Sequence, residues 1–185
     1  KNGISTTSYL PLDEQGSMLI ISKSSYMTAM QPFINWKAKR GLLCEIVSVD
    51  SIGNTSTAIK NYITNYYNTH NLKYVLLVGD AQDVSTPNMS GGASDPSYGF
   101  IAGSDSYAEV IVGRFSAQSL PDVQTQVQRS IDYEANPTPG GTWYQKGVGI
   151  ASDQGPGDDD EMDFEHQRNI RTGLLNYGYT QVDEL

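Results

Sequence analysis

Three carboxylates in the first two thirds of the chain have types and positions suited to binding a cation. Asp80 directly follows the apolar run 74–78, and Asp105 and Glu109 lie close together further along the chain. Calcium takes about six to eight oxygen ligands from carboxylates, main-chain carbonyls and water. In an extended segment Asp105 and Glu109 would point to the same side, so Asp80 could join them if its strand end lies beside that segment. The competing interpretation is that Asp80 caps a turn and Asp105 begins one.

A second acidic group lies at 158–165, where six of the eight residues are Asp or Glu. Acidic residues favour the N-terminus of a helix because they complement the helix dipole, and this role accounts for part of the run. So many neighbouring carboxylates also repel one another, so we expect a cation nearby. Asp163, His166 and Gln167 would share one helix face. A carboxylate on that face could bind a guanidinium through two hydrogen bonds.

This sequence offers no nucleophile and general base that could work together in nucleophilic catalysis. Cys44 is the only cysteine and lies within a predicted strand, which is typical of a small buried thiol. The only histidines are His70, in a predicted turn, and His166. We therefore predict no nucleophile and base within residues 1–185.

Charge and hydropathy exclude two classes of partner. The net charge of −9 over 185 residues argues against nucleic acid, because binding phosphates requires clustered Lys and Arg. The apolar runs are far too short to cross a bilayer. We therefore predict no nucleic-acid partner and no membrane span.

The elements that would position these residues alternate between strands and helices. We predict strands at 18–22, 42–49, 73–78, 98–102, 107–115, 147–152 and from 179 onward, with helices at 25–40, from 56, 120–134 and 161–175. The strands at 98–102 and 107–115 would form a hairpin, after a long polar loop at 81–97. The alternation with short connections predicts a parallel α/β sheet, in which ligands collect beyond the carboxyl ends of the strands.

Several segments resemble, in order, the start of the catalytic domain of the gingipain family of cysteine endopeptidases. They are FINWKAKRGL at 33–42, YVLLVGD at 74–80, YGFIAGSDSYAEVIVGRFS at 98–116, IAS at 150–152, EMDFEH at 161–166 and YGYT at 177–180. The resemblance implies an α/β, caspase-like parallel-sheet sandwich with helices on both faces, of which this chain holds the N-terminal subdomain. It also implies a lead-in at 1–17, a first subdomain at 18–145 and the start of the second, catalytic subdomain at 146–185.

The resemblance further implies two calcium sites. The first would use side chains and main-chain carbonyls of Asp80, Ala102, Asp105, Tyr107 and Glu109. The second would involve Glu161 and His166. Because imidazole is a poor ligand for so hard a cation, we expect His166 to contribute its carbonyl.

By the same resemblance, Asp163 matches the residue that pairs with the substrate arginine, and lysine-specific relatives resemble this region less well. The family's catalytic His and Cys would lie beyond Leu185. The resulting hypothesis is a secreted or cell-surface bacterial endopeptidase that cleaves polypeptides after arginine, with the remaining catalytic fragment as a partner. The alternatives are a non-catalytic module acting in bacterial secretion or processing, and a calcium-dependent adhesion domain. The loop before Glu161 departs from the family by being shorter and more acidic.

Overall fold

The computed structural model describes residues 16–89, 91–103, 105, 107–156 and 160–185. Most of the predicted lead-in therefore lies outside the described residues, as do Ser104, Ser106, Asp158 and Asp159 of the predicted loops. The chain divides into two compact units between Asn136 and Pro137. The boundary predicted from the sequence lies after residue 145.

The first unit is built on a four-stranded parallel sheet. Its elements in chain order are β1 (Ser17–Ser22), a 3₁₀ helix (Ser24–Met30), α1 (Gln31–Lys39), β2 (Leu43–Ser48), α2 (Val49–Ile52), α3 (Ser56–Thr69), β3 (Leu72–Val78), β4 (Asn88–Met89), β5 (Gly92–Ala93), a second 3₁₀ helix (Asp95–Gly99), β6 (Ile111–Phe115) and α4 (Leu120–Ala135). The strand order is β2-β1-β3-β6. All neighbouring pairs in this sheet are parallel.

Helices cover both faces of this sheet. Because successive side chains of a strand point to opposite faces, Leu19 and Ile21 pack against α3 through Ile59 and Ile63. The opposite face carries Ile20 of β1, and its buried partners are Tyr26, Met30, Phe33, Leu76, Val78, Val123 and Val127. Burying a side chain of this size contributes about 1.5–3 kcal/mol. The structure thus confirms the predicted α/β fold with helices on both faces.

Local sequence signals account for where the helices begin. The Thr55 side chain accepts a hydrogen bond from Ala58 N at 3.1 Å, and Ser119 forms a capping box with Asp122. Pro32 lies in the first turn of α1, where its missing N–H costs nothing. The single helix predicted at 25–40 is therefore divided into a 3₁₀ helix and α1.

The predicted hairpin at 98–115 is wrong. Residues 95–99 form a 3₁₀ helix, and β6 pairs with β3 in parallel instead of with an antiparallel neighbour. The physical reason is that side chains occupy the backbone groups that a hairpin would pair. Glu109 accepts from the N–H groups of Ile101 and Ala102. Lys60 donates to three carbonyls between residues 97 and 100.

The second unit contains a 3₁₀ helix (Thr142–Gln145), β7 (Lys146–Gly149), α5 (Asp163–Tyr177) and β8 (Gln181–Glu184). β7 and β8 are parallel, with Gly147 opposite Val182. α5 ends at Tyr177 and is followed by Gly178, whose φ of 122° is accessible to glycine and strained for other residues. Across the described part of the chain, no helix combines the length and the apolar character that a membrane span requires.

Candidate functional site

Asp80 lies at the carboxyl edge of the sheet, where the parallel fold gathers functional groups. Its Oδ1 accepts from Ala81 N at 2.7 Å, and its Oδ2 accepts from Gln118 Nε2 at 3.1 Å. These two hydrogen bonds, the one from Ala81 above all, hold the pKa of Asp80 below its ordinary value. Asp80 is therefore an ionised carboxylate whose two oxygens already have N–H partners.

Glu109 organises the loop that precedes β6. Its Oε2 accepts from Ala102 N at 3.0 Å and from Ile101 N at 2.6 Å, and its own N–H donates to Gly99 O at 3.0 Å. The two hydrogen bonds from Ala102 and Ile101 lower the pKa of Glu109. The carboxylate thus closes the loop from 101 to 109 and is ionised there.

Asp105 and Tyr107 lie within that loop and are both exposed. Asp105 Oδ1 accepts from Tyr107 N at 3.0 Å, which makes a local turn. Together with the main chain of Ala102, these residues supply only oxygen donors, and this donor chemistry fits calcium. The same loop therefore contains four of the five residues predicted for the first calcium site.

The three carboxylates of that predicted site are not brought together around one point. Among the described residues, no group of three or more His, Cys, Asp or Glu side chains is placed to hold a metal ion. Hydrogen bonds connect Ala102 with Glu109 and Asp105 with Tyr107. The Asp80 side chain accepts a hydrogen bond from Gln118 instead.

Two basic residues position these loops, and neither was among the predicted site residues. The Lys60 ammonium donates to the carbonyls of Ser97, Tyr98 and Phe100 at 2.9, 3.1 and 2.6 Å. Arg114 bonds the carbonyl of Gly79, next to Asp80, at 2.8 Å. A signal was present for Arg114, since a charge inside a short strand requires a partner. Lys60 carried no comparable signal in the sequence.

In the second unit, Asp163 is the first residue of α5 and is exposed. Its Oδ2 accepts from Ser152 Oγ at 2.5 Å, and its N–H donates to Gln154 O at 3.1 Å. Ser152 also lines an open cleft of about 240 Å³ beyond the carboxyl ends of β7 and β8. Asp163 is therefore a carboxylate at a helix N-terminus, bonded to the wall of a cleft.

The side chains of Glu161 and His166 contact each other, whereas the predicted contribution of His166 to the second calcium site was its carbonyl. His166 Nδ1 lies 3.2 Å from Glu161 Oε2. Asn169 Nδ2 donates to both oxygens of Glu161, at 3.1 and 3.2 Å. The Glu161 carboxylate is thus bonded to two residues of α5.

Cys44 lies near the start of β2, at the end of the first sheet where the parallel strands begin. Burial raises the pKa of its thiol, and its Sγ is 3.7 Å from Leu42 O. His70 lines the same groove, but its ring stacks on Tyr66 with centroids 4.0 Å apart, and its Nδ1 contacts Thr69 Oγ1 at 2.9 Å. A thiol with a raised pKa that has no base bonded to it among the described residues is not activated as a nucleophile.

Comparison with known proteins assigns the fold and the family. Residues 11–183 match the model of peptidase family C25. Gingipain R2 of Porphyromonas gingivalis (strain ATCC BAA-308 / W83) is 38% identical over 184 residues, covering 95% of this chain and 25% of that protein. Lys-gingipain W83 of the same species is 26% identical over 180 residues, covering 89% of this chain and 10% of that protein.

A solved structure gives the same result in three dimensions. The crystal structure of the Arg-specific cysteine proteinase gingipain R matches with a TM-score of 0.82 and 37% identity, over 95% of this chain and 43% of the solved chain. This chain therefore spans about a quarter of gingipain R2 and less than half of the solved chain. The match confirms the predicted caspase-like architecture.

Proposed function

The chain belongs to peptidase family C25, and from this membership we propose that it forms the N-terminal part of a cysteine endopeptidase that cleaves polypeptides after arginine. The observation that carries the proposal is the position of Asp163. Its carboxylate is exposed at the N-terminus of α5 and is bonded to Ser152 on the wall of a cleft. A carboxylate held in this way suits a guanidinium, which binds through two parallel hydrogen bonds.

The relatives support arginine as the recognised side chain. Identity to gingipain R2 is 38%, whereas identity to Lys-gingipain W83 is 26%. In the proposed reaction Asp163 would hold the arginine that precedes the cleaved bond. The polypeptide substrate would then be placed with its scissile carbonyl at the catalytic centre.

The catalytic thiolate and its histidine would come from outside residues 1–185. In the described residues, Cys44 has a raised pKa and lies near the opposite edge of the sheet from Asp80. The proposed step is attack of a thiolate on the scissile carbonyl, with a histidine as acid and base. This chain would therefore contribute substrate recognition, and the rest of the catalytic domain would be its partner.

The test uses the complete protein with arginine and lysine reporter peptides. We expect cleavage after arginine, and Asp163→Asn should lower kcat/KM for the arginine peptide about a hundredfold because the substrate guanidinium would lose its charged hydrogen-bond partner. The matched control is Asp183→Asn, an exposed carboxylate on β8 bonded to Gln181, which should leave kcat/KM unchanged.

Two outcomes would contradict the proposal in different ways. Equal cleavage of both peptides, or preference for lysine, would remove the role of Asp163. Absence of cleavage in the complete protein would instead favour the alternative of a non-catalytic module in bacterial secretion or processing.

We also propose calcium as a cofactor, with its first site in the loop from 101 to 109. The all-oxygen donor set of Ala102, Asp105, Tyr107 and Glu109 supports this proposal. Asp80 would add its carboxylate on exchange of the hydrogen bond from Gln118 for the ion. Glu161 and the carbonyl of His166 would contribute to a second site. Bound calcium would brace these loops by joining groups from separate segments.

The calcium proposal is tested by thermal unfolding of the complete protein in chelator and in added calcium. Stability should increase by about 2.7 kcal/mol when calcium is at 100 times its Kd. Asp105→Asn should reduce the shift, whereas Asp132→Asn, which changes an exposed residue of α4, should retain it. An unchanged melting temperature at millimolar calcium would contradict both sites.

A secreted or cell-surface location in a bacterium completes the proposal. Calcium sites with Kd values of about 0.1–1 mM are typical of extracellular modules, so a site assembled from separate loops suits that compartment. Fractionation of the producing cells would test it, with recovery of the protein only from the cytoplasm as the contradicting result.

A further inference from the structure

Three hydrogen bonds form a closed ring around the start of α5. Ser152 Oγ donates to Asp163 Oδ2 at 2.5 Å, Asp163 N donates to Gln154 O at 3.1 Å, and Gln154 N donates to Ser152 Oγ at 3.2 Å. The ring joins the loop after β7 to the first residue of the helix. In this ring the Ser152 hydroxyl is both a donor and an acceptor. Removing the hydroxyl would therefore break two of the three hydrogen bonds.

The ring restricts the Asp163 carboxylate while leaving it able to accept more hydrogen bonds. A carboxylate offers about four lone-pair sites, and the hydroxyl of Ser152 uses one of them. Rotation of the carboxylate about its Cβ–Cγ bond would break the bond to Ser152. The plane of the two oxygens is therefore fixed relative to the cleft that Ser152 lines.

A fixed carboxylate plane matters for one cationic side chain more than for the other. A guanidinium is planar and donates two parallel hydrogen bonds, so it requires both oxygens in one orientation. An ammonium is a compact charge with rotatable donors, and it tolerates a rotated carboxylate. An oriented Asp163 carboxylate would thus discriminate between arginine and lysine, although its charge would attract both.

We propose that Ser152 is a positioning residue that orients the Asp163 carboxylate for bidentate binding of a guanidinium and thereby sets a preference for arginine over lysine. This inference rests on the proposed function of Asp163 in substrate recognition. It adds a residue on a different segment, which contacts Asp163 and does not itself need to contact the substrate.

The experiment measures kcat and KM of the complete protein for paired arginine and lysine reporter peptides. Ser152→Ala should lower kcat/KM for arginine about tenfold, mainly through KM, because a hydrogen bond to a charged group is lost. The same variant should change kcat/KM for lysine less than about threefold, because an ammonium tolerates a rotated carboxylate. Ser152→Thr, which keeps the hydroxyl, should retain most of the arginine preference.

The matched control is Thr172→Ala, which removes a hydroxyl of α5 that donates to Arg168 O of the same helix. It should leave the ratio of arginine to lysine cleavage unchanged. An equal loss for both peptides in Ser152→Ala, or a loss confined to kcat, would overturn the positioning role while leaving the proposed function in place.

A binding measurement separates failure of the inference from failure of the proposed function. Benzamidine, a planar amidinium, should raise the melting temperature of the wild-type protein more than benzylamine does, and Ser152→Ala should remove that difference. If the wild-type protein shows no preference for the arginine peptide and its melting temperature responds equally to the two probes, then the recognition site itself is refuted. The role of Ser152 is then refuted with it.

Discussion

Arg114 of β6 forms a two-point ion pair with Asp95, the first residue of the second 3₁₀ helix. Nε lies 2.6 Å from Asp95 Oδ2, and Nη2 lies 2.7 Å from Oδ1. The third nitrogen, Nη1, donates to the carbonyls of Gly79 and Val84 at 2.8 and 3.0 Å. Only 12% of the Arg114 side chain and 23% of the Asp95 side chain are exposed. One guanidinium therefore joins the end of β3 to both ends of the loop that follows it.

Asp95→Asn should destabilise the first unit substantially. Removing one charge leaves the Arg114 guanidinium mostly buried without its counter-ion, and such changes cost about 3–5 kcal/mol. Urea unfolding of the protein measures the loss. Asp132→Asn, on the exposed surface of α4, is the matched control and should cost no more than about 0.5 kcal/mol. Equal stability of the two variants would show that the ion pair contributes little.

The stabilisation from the Asp95–Arg114 ion pair should decrease in acid. The hydrogen bonds from Arg114 hold the pKa of Asp95 below its ordinary value of 3.8. Because the folded-state pKa is the lower one, the stabilisation is fully present above the unfolded-state pKa and is lost as pH falls through the folded-state pKa. The difference in unfolding free energy between wild type and Asp95→Asn should therefore shrink below about pH 4. Parallel stability curves down to pH 2 would contradict this assignment.

Lys60→Met should loosen the loop that contains the proposed calcium ligands. The ammonium is replaced by an apolar group, so three carbonyls lose their donor, and we expect a loss of about 2 kcal/mol. Hydrogen exchange at the amides of Ile101 and Ala102 should become faster, because the neighbouring segment opens more often. Lys39→Met, at an exposed position of α1, is the control. Unchanged exchange at both amides would show that Lys60 does not position this loop.

Cys44→Ala should leave cleavage of arginine peptides in the complete protein within about twofold of wild type, because a thiol that does not contact the reacting atoms carries no part of the barrier. Burial raises the pKa of Cys44, so its reaction with thiol reagents should also be slow. The measurement is kcat/KM for the variant, together with labelling rates for the wild type. Abolished activity in Cys44→Ala would identify this residue as a nucleophile and refute the proposed division of the catalytic domain.

Some parts of the fold were predictable because their signals are local. The alternation of strand and helix patterns predicted the parallel sheet, and the β1 and β3 segments were assigned within a residue of their observed ends. The apolar spacing after residue 56 indicated α3, with Thr55 or Ser56 as its cap, and Thr55 takes this role. The residues that carry such signals are only a few positions apart in the sequence.

The segment from 98 to 110 shows why other parts were not predictable. Its residues have strand-like composition, which indicated a hairpin. The outcome depends on Lys60, which contacts Phe100 O across 40 positions in the sequence. No local pattern reports that the carbonyls of residues 97, 98 and 100 will meet an ammonium from α3.

The amino-acid sequence by itself determined the class of fold, its likeness to the gingipains and the presence of Asp163 among acidic neighbours. The tertiary structure alone decided which of those acids have partners: Asp163 is tied to Ser152, Glu161 to His166, and Glu109 to its own loop. The physical reason is the separation along the sequence of the residues that interact. Helix and strand patterns arise from neighbours along the chain, whereas the partner of a carboxylate is chosen by whatever donor the completed fold brings within about 3 Å.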